Sequence, residues 1–578
     1  MKDRVCLVAI VRGTGDELAA GKLADELRKF VDHVPVIASG LRIATSEPVT
    51  LYLGTLQSNT ALVETVSALG WKSEVEKLPA EGYLIRTGVV SGKQVIVLAG
   101  GDRTGAIYAA SDLKNFYLDR TAGNLAVGAI NYTELPKMPY RWFWNWDVRT
   151  NWDLLDHDKV YQQKLEPSYS ERPFRKRAAA YLKNMKLCID YMSEHKLNGL
   201  IIWGFLRDNH GGIQAAQEIC RYANERGVKI IPGVNFDRYY GGIYHEGSHE
   251  FNLESRAEKY PHLRTMDKDG NYVPRTLCAE KKENREWILR AIHWLYDTVP
   301  IGGVNLEFAE GDVCYTPDCV AARQAQGQGG QYGRAVAFKN EPEKNRDFYK
   351  DLARIMSFVV PEIHARMPQT WISYATYGEY TAEMQSDPPL YIRTNPSYAI
   401  AQWELNDMLT DLVPRPDGRT HRMWPEGLRP PGKEYIGYVQ WNAFYTGNQK
   451  GFFVDQYREA ARRAYRQGFK GLDAYGEESA DFPNMELSYL AFSEFSYNPE
   501  MTGEDFLKRR VAPLYGGEEA GRLVLDIARS IGPIREGHTP ENLGDLLNLA
   551  YRGRRISADY GKPRWDRLIH HIQNVLPE

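Results

Sequence analysis

The feature that most constrains this chain is a rhythm that starts near Leu135, in which short apolar runs alternate with long amphipathic stretches. Parallel strands need crossovers of a dozen or more residues, usually helical, so such a rhythm predicts a parallel α/β arrangement. Strand candidates lie at residues 198–203, 229–234, 303–308, 371–374, 398–403, 435–441 and 471–475, and the Trp-rich segment 142–146 supplies the first of eight. Eight such units predict a (β/α)8 TIM barrel.

The 578 residues exceed the roughly 100–200 of one typical domain, so further cores are expected. Residues 1–135 alternate strand and helix and read as a small N-terminal α/β domain: VCLVAIV, an amphipathic DELAAGKLADELRKFV, VTLYLGT, and a pair GYLIRTGVV and KQVIVLAG joined around Ser91-Gly92-Lys93. The following GGDRTG could cradle a phosphate at a helix N-terminus. It lacks the Lys-Ser/Thr ending of a P-loop and the glycine spacing of a dinucleotide site, so a plain tight turn is favoured. Residues 136–497 form the barrel, and residues 498–578 turn helical and polar, predicting a C-terminal helical region.

Lys and Arg are spread along a chain of net charge −3, which argues against nucleic acid and anionic lipid as partners. No apolar run reaches the roughly 18–20 residues that span a bilayer, so no membrane partner is expected. The start, MKDRVCLVAIVRG, reads as a first strand rather than a signal peptide. The compartment stays open, secreted or periplasmic if a signal was removed and cytoplasmic otherwise, and so does homo-oligomerisation. Cys314 and Cys319 frame a tight loop, CYTPDC, readable as a disulfide or half a zinc site, but no partner stands at ligand spacing; neither metal nor organic cofactor is expected.

In a parallel barrel the site forms where strands end. Glycoside cleavage needs one carboxyl to protonate the leaving oxygen and a second to activate water or attack the anomeric carbon. NLEFAEGD after the fourth strand carries Glu310, the leading acid candidate, and Glu307, deeper in the strand and readable equally as a structural carboxylate. Glu404 in AQWELND is the first choice of base, with Glu379, Asp473 and Glu477 behind it. Arg207 and Arg238 could grip a sugar carboxylate or sulfate, His210 and His245 could bind hydroxyls, and Asn235, Asp237, Tyr377 and Glu477 add polar contacts. Trp203, Trp403, Trp441 and Tyr475 could stack on sugar rings or simply pack, among 13 Trp and 36 Tyr.

Three stretches carry a family resemblance. EGYLIRTGVVSGKQVIVLAGGDRTGAIYAASDLKNF is similar to the end of the small domain that precedes the barrel in the alpha-glucuronidases and beta-N-acetylhexosaminidases. NLEFAEGD resembles their fourth-strand segment, and Glu310-Gly311 resembles the Ser-Glu-Gly of the alpha-glucuronidases. MELSYLAFSEFSYNPEMTGEDFLKRRVAPLYG is similar to the helical exit from an alpha-glucuronidase barrel. The resemblance implies Glu310 as general acid of a glycoside hydrolase, and inversion with a carboxylate-activated water if the alpha-glucuronidase likeness holds. Hexosaminidases of this build place Asp before the acid to orient the acetamido group, whereas Ala309 stands here. The expectation is an exo-acting hydrolase of a terminal sugar, an acidic one included, in polysaccharide degradation; a retaining beta-N-acetylhexosaminidase and a non-catalytic carbohydrate-binding barrel are the alternatives.

Overall fold

A computed structural model of the chain describes residues 8–31, 33–40, 47–119, 126–153, 178–236, 242–247, 249–307, 313–327, 334–335, 341–376, 378–379, 394–405, 409, 412, 432–439, 441, 450–534 and 540–576. A six-stranded sheet comes first: β1 (Val8–Arg12), β2 (Val36–Ala38), β3 (Val49–Gly54), β4 (Tyr83–Val90), β5 (Lys93–Gly100) and β6 (Asn131–Glu134), ordered β2-β1-β3-β5-β4-β6. The β4–β5 hairpin turns through Ser91 and Gly92, both at positive φ (51° and 80°), which suits the right-handed twist of the strands it joins. In the GGDRTG turn, a Cβ on Gly100 would lie 2.2 Å from Ala106 N and one on Gly105 2.3 Å from Gly82 O, so the glycines serve close backbone packing. Asp102 caps the helix Arg103–Asp112 by accepting from Gly105 N–H.

Eight parallel strands then close a barrel: β7 (Tyr140–Trp146), β8 (Gly199–Trp203), β9 (Lys229–Val234), β10 (Gly303–Leu306), β11 (Trp371–Thr376), β12 (Ala399–Glu404), β13 (Glu434–Val439) and β14 (Gly471–Tyr475), with β14 pairing back to β7. Their alternation sends one residue set to the lumen and the other to the helices. Trp142, Trp144 and Trp146 of β7 fill the lumen with Trp203, Tyr438 and Tyr475. Glycine makes the room, since a Cβ on Gly199 would lie 2.4 Å from Trp142 and one on Gly233 2.3 Å from Trp203.

The outer layer forms for the complementary reason. In α1 (Ala178–Glu194), Tyr181, Met185, Cys188, Ile189 and Met192 are buried at helical spacing against the strands. The helices after Tyr497 share the barrel's hydrophobic core, to which Phe506, Val524 and Trp565 all belong. Tyr497 itself packs into the core of the N-terminal sheet. Among the described residues no helix is long and apolar enough to cross a membrane.

Candidate active site

A polar belt crosses the lumen. Trp203 Nε1 donates to Asn305 Oδ1 (3.3 Å), Asn305 Nδ2 donates to Ser373 Oγ (2.9 Å) and Gln402 Oε1 (2.7 Å), and Gln402 Nε2 donates to Asp473. The bonds from β8 to β10, β10 to β12 and β12 to β14 each skip a strand, so they run through the interior. Burial pushes the Asp473 carboxyl well above the usual range, which the bond from Gln402 only partly opposes. Burial thus favours the protonated form of Asp473, which closes the belt on β14.

Above this belt, the carboxyl ends of β7, β10 and β14 each carry buried acidic residues. Asp147 follows β7, Glu307 follows β10, and Glu477 and Glu478 follow β14; all four are buried. Glu477 accepts from Trp146 N–H (2.9 Å), and Asn145 brackets Gly476 by accepting its N–H and donating to its carbonyl, which locks the last strand end to the first. Asn235 Nδ2 donates to the Glu307 carbonyl (2.8 Å) and holds that strand end in place. His245 Nε2 lies 3.2 Å from the Gly233 carbonyl, an acceptor only, so this nitrogen carries the proton.

Asp147 is a residue the sequence reading did not single out. Arg207 Nε lies 2.6 Å and His210 Nδ1 3.3 Å from its Oδ2, and burial pushes its carboxyl up to about 6 in spite of Arg207. Gly204 stands over it at φ +82°, where a Cβ would lie 2.2 Å from Oδ1. An acid directly after the apolar run YRWFWNW was the available signal, because the rule of reading strand ends applies to the first strand as to the others.

Of the expected ligands, Trp203, Asn235, His245, Tyr475 and Glu477 come together at or below the barrel mouth. Arg207, expected to grip a substrate anion, has its guanidinium engaged by Asp147 and Glu246, and His210 stacks on Tyr181 at 4.2 Å. Trp403 and Trp441 do not join the lumen. Trp403 alternates with lumen-facing Gln402 and packs on Tyr435 and Phe469, while Trp441 packs on Phe453 and Tyr457. Glu404 is the last residue of β12, in register with Tyr438 of β13. Glu310, Asp237, Arg238 and Tyr377 lie outside the described residues.

The fold and the buried carboxylates at its mouth define a TIM-barrel protein with a preceding mixed α/β sheet and a helical C-terminal region, an architecture found in glycoside hydrolases. Among solved structures, the chain is similar to a GH138 enzyme targeting pectin rhamnogalacturonan II (TM-score 0.53, 12% identity, covering 98% of this chain and 68% of that one). It is also similar to a chitobiase from Flavobacterium johnsoniae (0.50, 11%, 99% and 71%) and to a GH20 exo beta-N-acetylglucosaminidase from Vibrio harveyi, solved with N-acetylglucosamine (0.50, 12%, 93% and 76%). At these identities the likeness is one of fold. No family profile and no curated sequence matches the chain.

Proposed function

We propose that the protein is an exo-acting glycoside hydrolase that releases a terminal sugar, with Glu310 as general acid and Glu404 as its partner. The observation that carries this reading is that buried acids, Asp147, Glu307 and Glu477, follow three barrel strands at their carboxyl ends, above a lumen lined by Trp and Tyr. Carboxyls held in a poorly solvated mouth can differ in protonation state, which is what glycoside cleavage asks of its acid and base. Asn235 fixes the backbone at Glu307, three residues before Glu310 in the chain. An acidic sugar in the alpha-glucuronidase manner would look to Arg238, because Arg207 already serves two carboxylates of the protein.

The test is hydrolysis of a panel of aryl glycosides, including glucuronides and N-acetylglucosaminides. Glu310→Gln is expected to lower kcat by a factor of at least about 10² with an unchanged fold, in keeping with loss of a general acid. Full activity in that variant would overturn the assignment of the acid, and binding without turnover across the whole panel would replace the hydrolase with a carbohydrate-binding barrel. The fold likeness to the Vibrio harveyi enzyme favours one second reading, a retaining N-acetylhexosaminidase, which the first anomer released in an NMR time course distinguishes from an inverting enzyme.

A further inference from the structure

Three cysteines separated in sequence converge. Cys278 precedes the helix Lys282–Thr298, Cys314 lies after β10, and Cys319 is in the first turn of α2 (Pro317–Ala325). Their Sγ atoms all lie within 4.8 Å of one another, with Cys278 and Cys319 at 3.4 Å, and all three residues are buried. The sequence showed only the Cys314–Cys319 pair as a unit; the third member comes from 36 residues upstream of Cys314.

We propose that Cys278, Cys314 and Cys319 form a structural site for a thiophilic divalent cation, zinc by preference. Three thiolates bound to zinc at about 2.3 Å in a tetrahedron would stand about 3.8 Å apart, and the observed cluster needs only small adjustments to reach that spacing. A disulfide bonds at about 2.05 Å and would use two of the sulfurs, leaving the third buried beside it. The surroundings favour thiolate. Thr316 caps α2 by accepting from Cys319 N–H, and its Oγ1 lies 3.2 Å from Cys278 Sγ and 3.3 Å from Cys314 Sγ. Cys319 sits in the first turn of that helix, where free N–H groups stabilise negative charge.

The backbone behind the sulfurs is tied down as a metal site requires. Asn284 Nδ2 donates to the carbonyls of Cys278 (2.9 Å) and Leu263 (2.8 Å), and Arg323 donates to the Cys314 carbonyl (2.7 Å) while pairing with Asp351 (2.8 Å). The ion would therefore staple two loops and a helix start that the bond from Tyr315 N–H to the Met266 carbonyl (2.8 Å) and the Lys281–Asp318 ion pair (2.7 Å) already join. This site is independent of the hydrolase reading and stands or falls separately.

The test is elemental analysis of the full chain purified without chelator, joined to a thiol count in denaturant on protein prepared without reductant. About one zinc per chain, released when a mercurial blocks the thiols and regained on reduction and zinc addition, is expected. A cobalt-substituted sample should show thiolate-to-metal charge transfer. Cys319→Ser should weaken zinc binding by more than tenfold, while Cys220→Ala, buried elsewhere, should leave it unchanged. Zinc-free protein that takes up no zinc and titrates all six cysteines would reduce the cluster to ordinary buried thiols and overturn the proposal. Two thiols missing from the six would show a disulfide, and would overturn it equally.

Discussion

Arg207 Nε meets Asp147 Oδ2 at 2.6 Å, and this ion pair joins the end of the first barrel strand to the loop after the second. Its two members are not equally at ease. Burial disfavours both charges, yet Arg207 is held in its cationic form by Asp147 and Glu246, whereas burial lifts Asp147 to about 6. An Arg side chain stays protonated under all ordinary conditions, so the carboxyl is the group that titrates.

The pH dependence follows from that shift. A carboxyl whose folded pKa is raised from 3.8 to about 6 binds a proton in the native state that the unfolded chain has already lost, so its contribution is full below about pH 4 and fades as pH rises through 6. The expected span is roughly 3 kcal/mol. Denaturant titrations at pH 4, 5, 6 and 7 should therefore show wild type losing stability relative to Asp147→Asn as pH rises, with little further change above 7. Parallel curves for the two proteins would refute the assignment.

Burial favours the protonated form of Asp473, so Asp473→Asn, which keeps an acceptor for Gln402, should change stability at pH 5 by less than about 1 kcal/mol, and Asp473→Ala should cost about 1–3 kcal/mol by removing the acceptor of Gln402 Nε2. Because the native carboxyl holds its proton more tightly than the unfolded one, the Asn variant should gain on wild type as pH rises. A wild type that gains on the variant with rising pH would mean an ionised Asp473.

A fully buried network connects the N-terminal sheet, the barrel and the C-terminal helices. Lys196 Nζ reaches Glu494 (2.6 Å) and Asp112 (3.2 Å), and Arg510 reaches the same two carboxylates (2.8 and 3.1 Å). Burial alone would raise the Glu494 carboxyl, but Arg510 and Lys196 together hold it well below its usual range. Lys196→Met strands negative charge in the interior and is expected to cost about 3–5 kcal/mol. Arg554→Ala, which breaks a solvent-exposed pair with Asp566, should leave the urea midpoint nearly unchanged. Equal midpoint shifts in urea would show that the buried network carries no special weight.

Much of the fold was legible in order and polarity. Residues 229–234 and 471–475 were expected as strands and are strands to the residue, and the other barrel strands begin within two residues of their expected starts. Short apolar runs rich in Val, Ile, Leu and aromatic residues, alternating with amphipathic stretches, leave few arrangements other than a closed parallel sheet. Which aromatic faced sugar and which faced helix was not legible in the same way. Trp203 ends its strand and Trp403 stands one residue before the end of its own, but Trp403 belongs to the outward set and Trp203 to the lumen, a distinction set by strand register rather than by composition.

What the sequence by itself determined is the order of elements, the barrel and the strand ends where polar residues would collect, because these depend on local periodicity and on the covalent continuity of each strand with its loop. What only the tertiary structure decided is company. Arg207 finds Asp147, Lys196 finds Glu494 across 298 residues, and Cys278 finds Cys314 and Cys319. Closing the barrel brings together residues that the chain keeps far apart, and neither a carboxyl's proton affinity nor a thiol's partners exist as properties until that closure has removed the water around them.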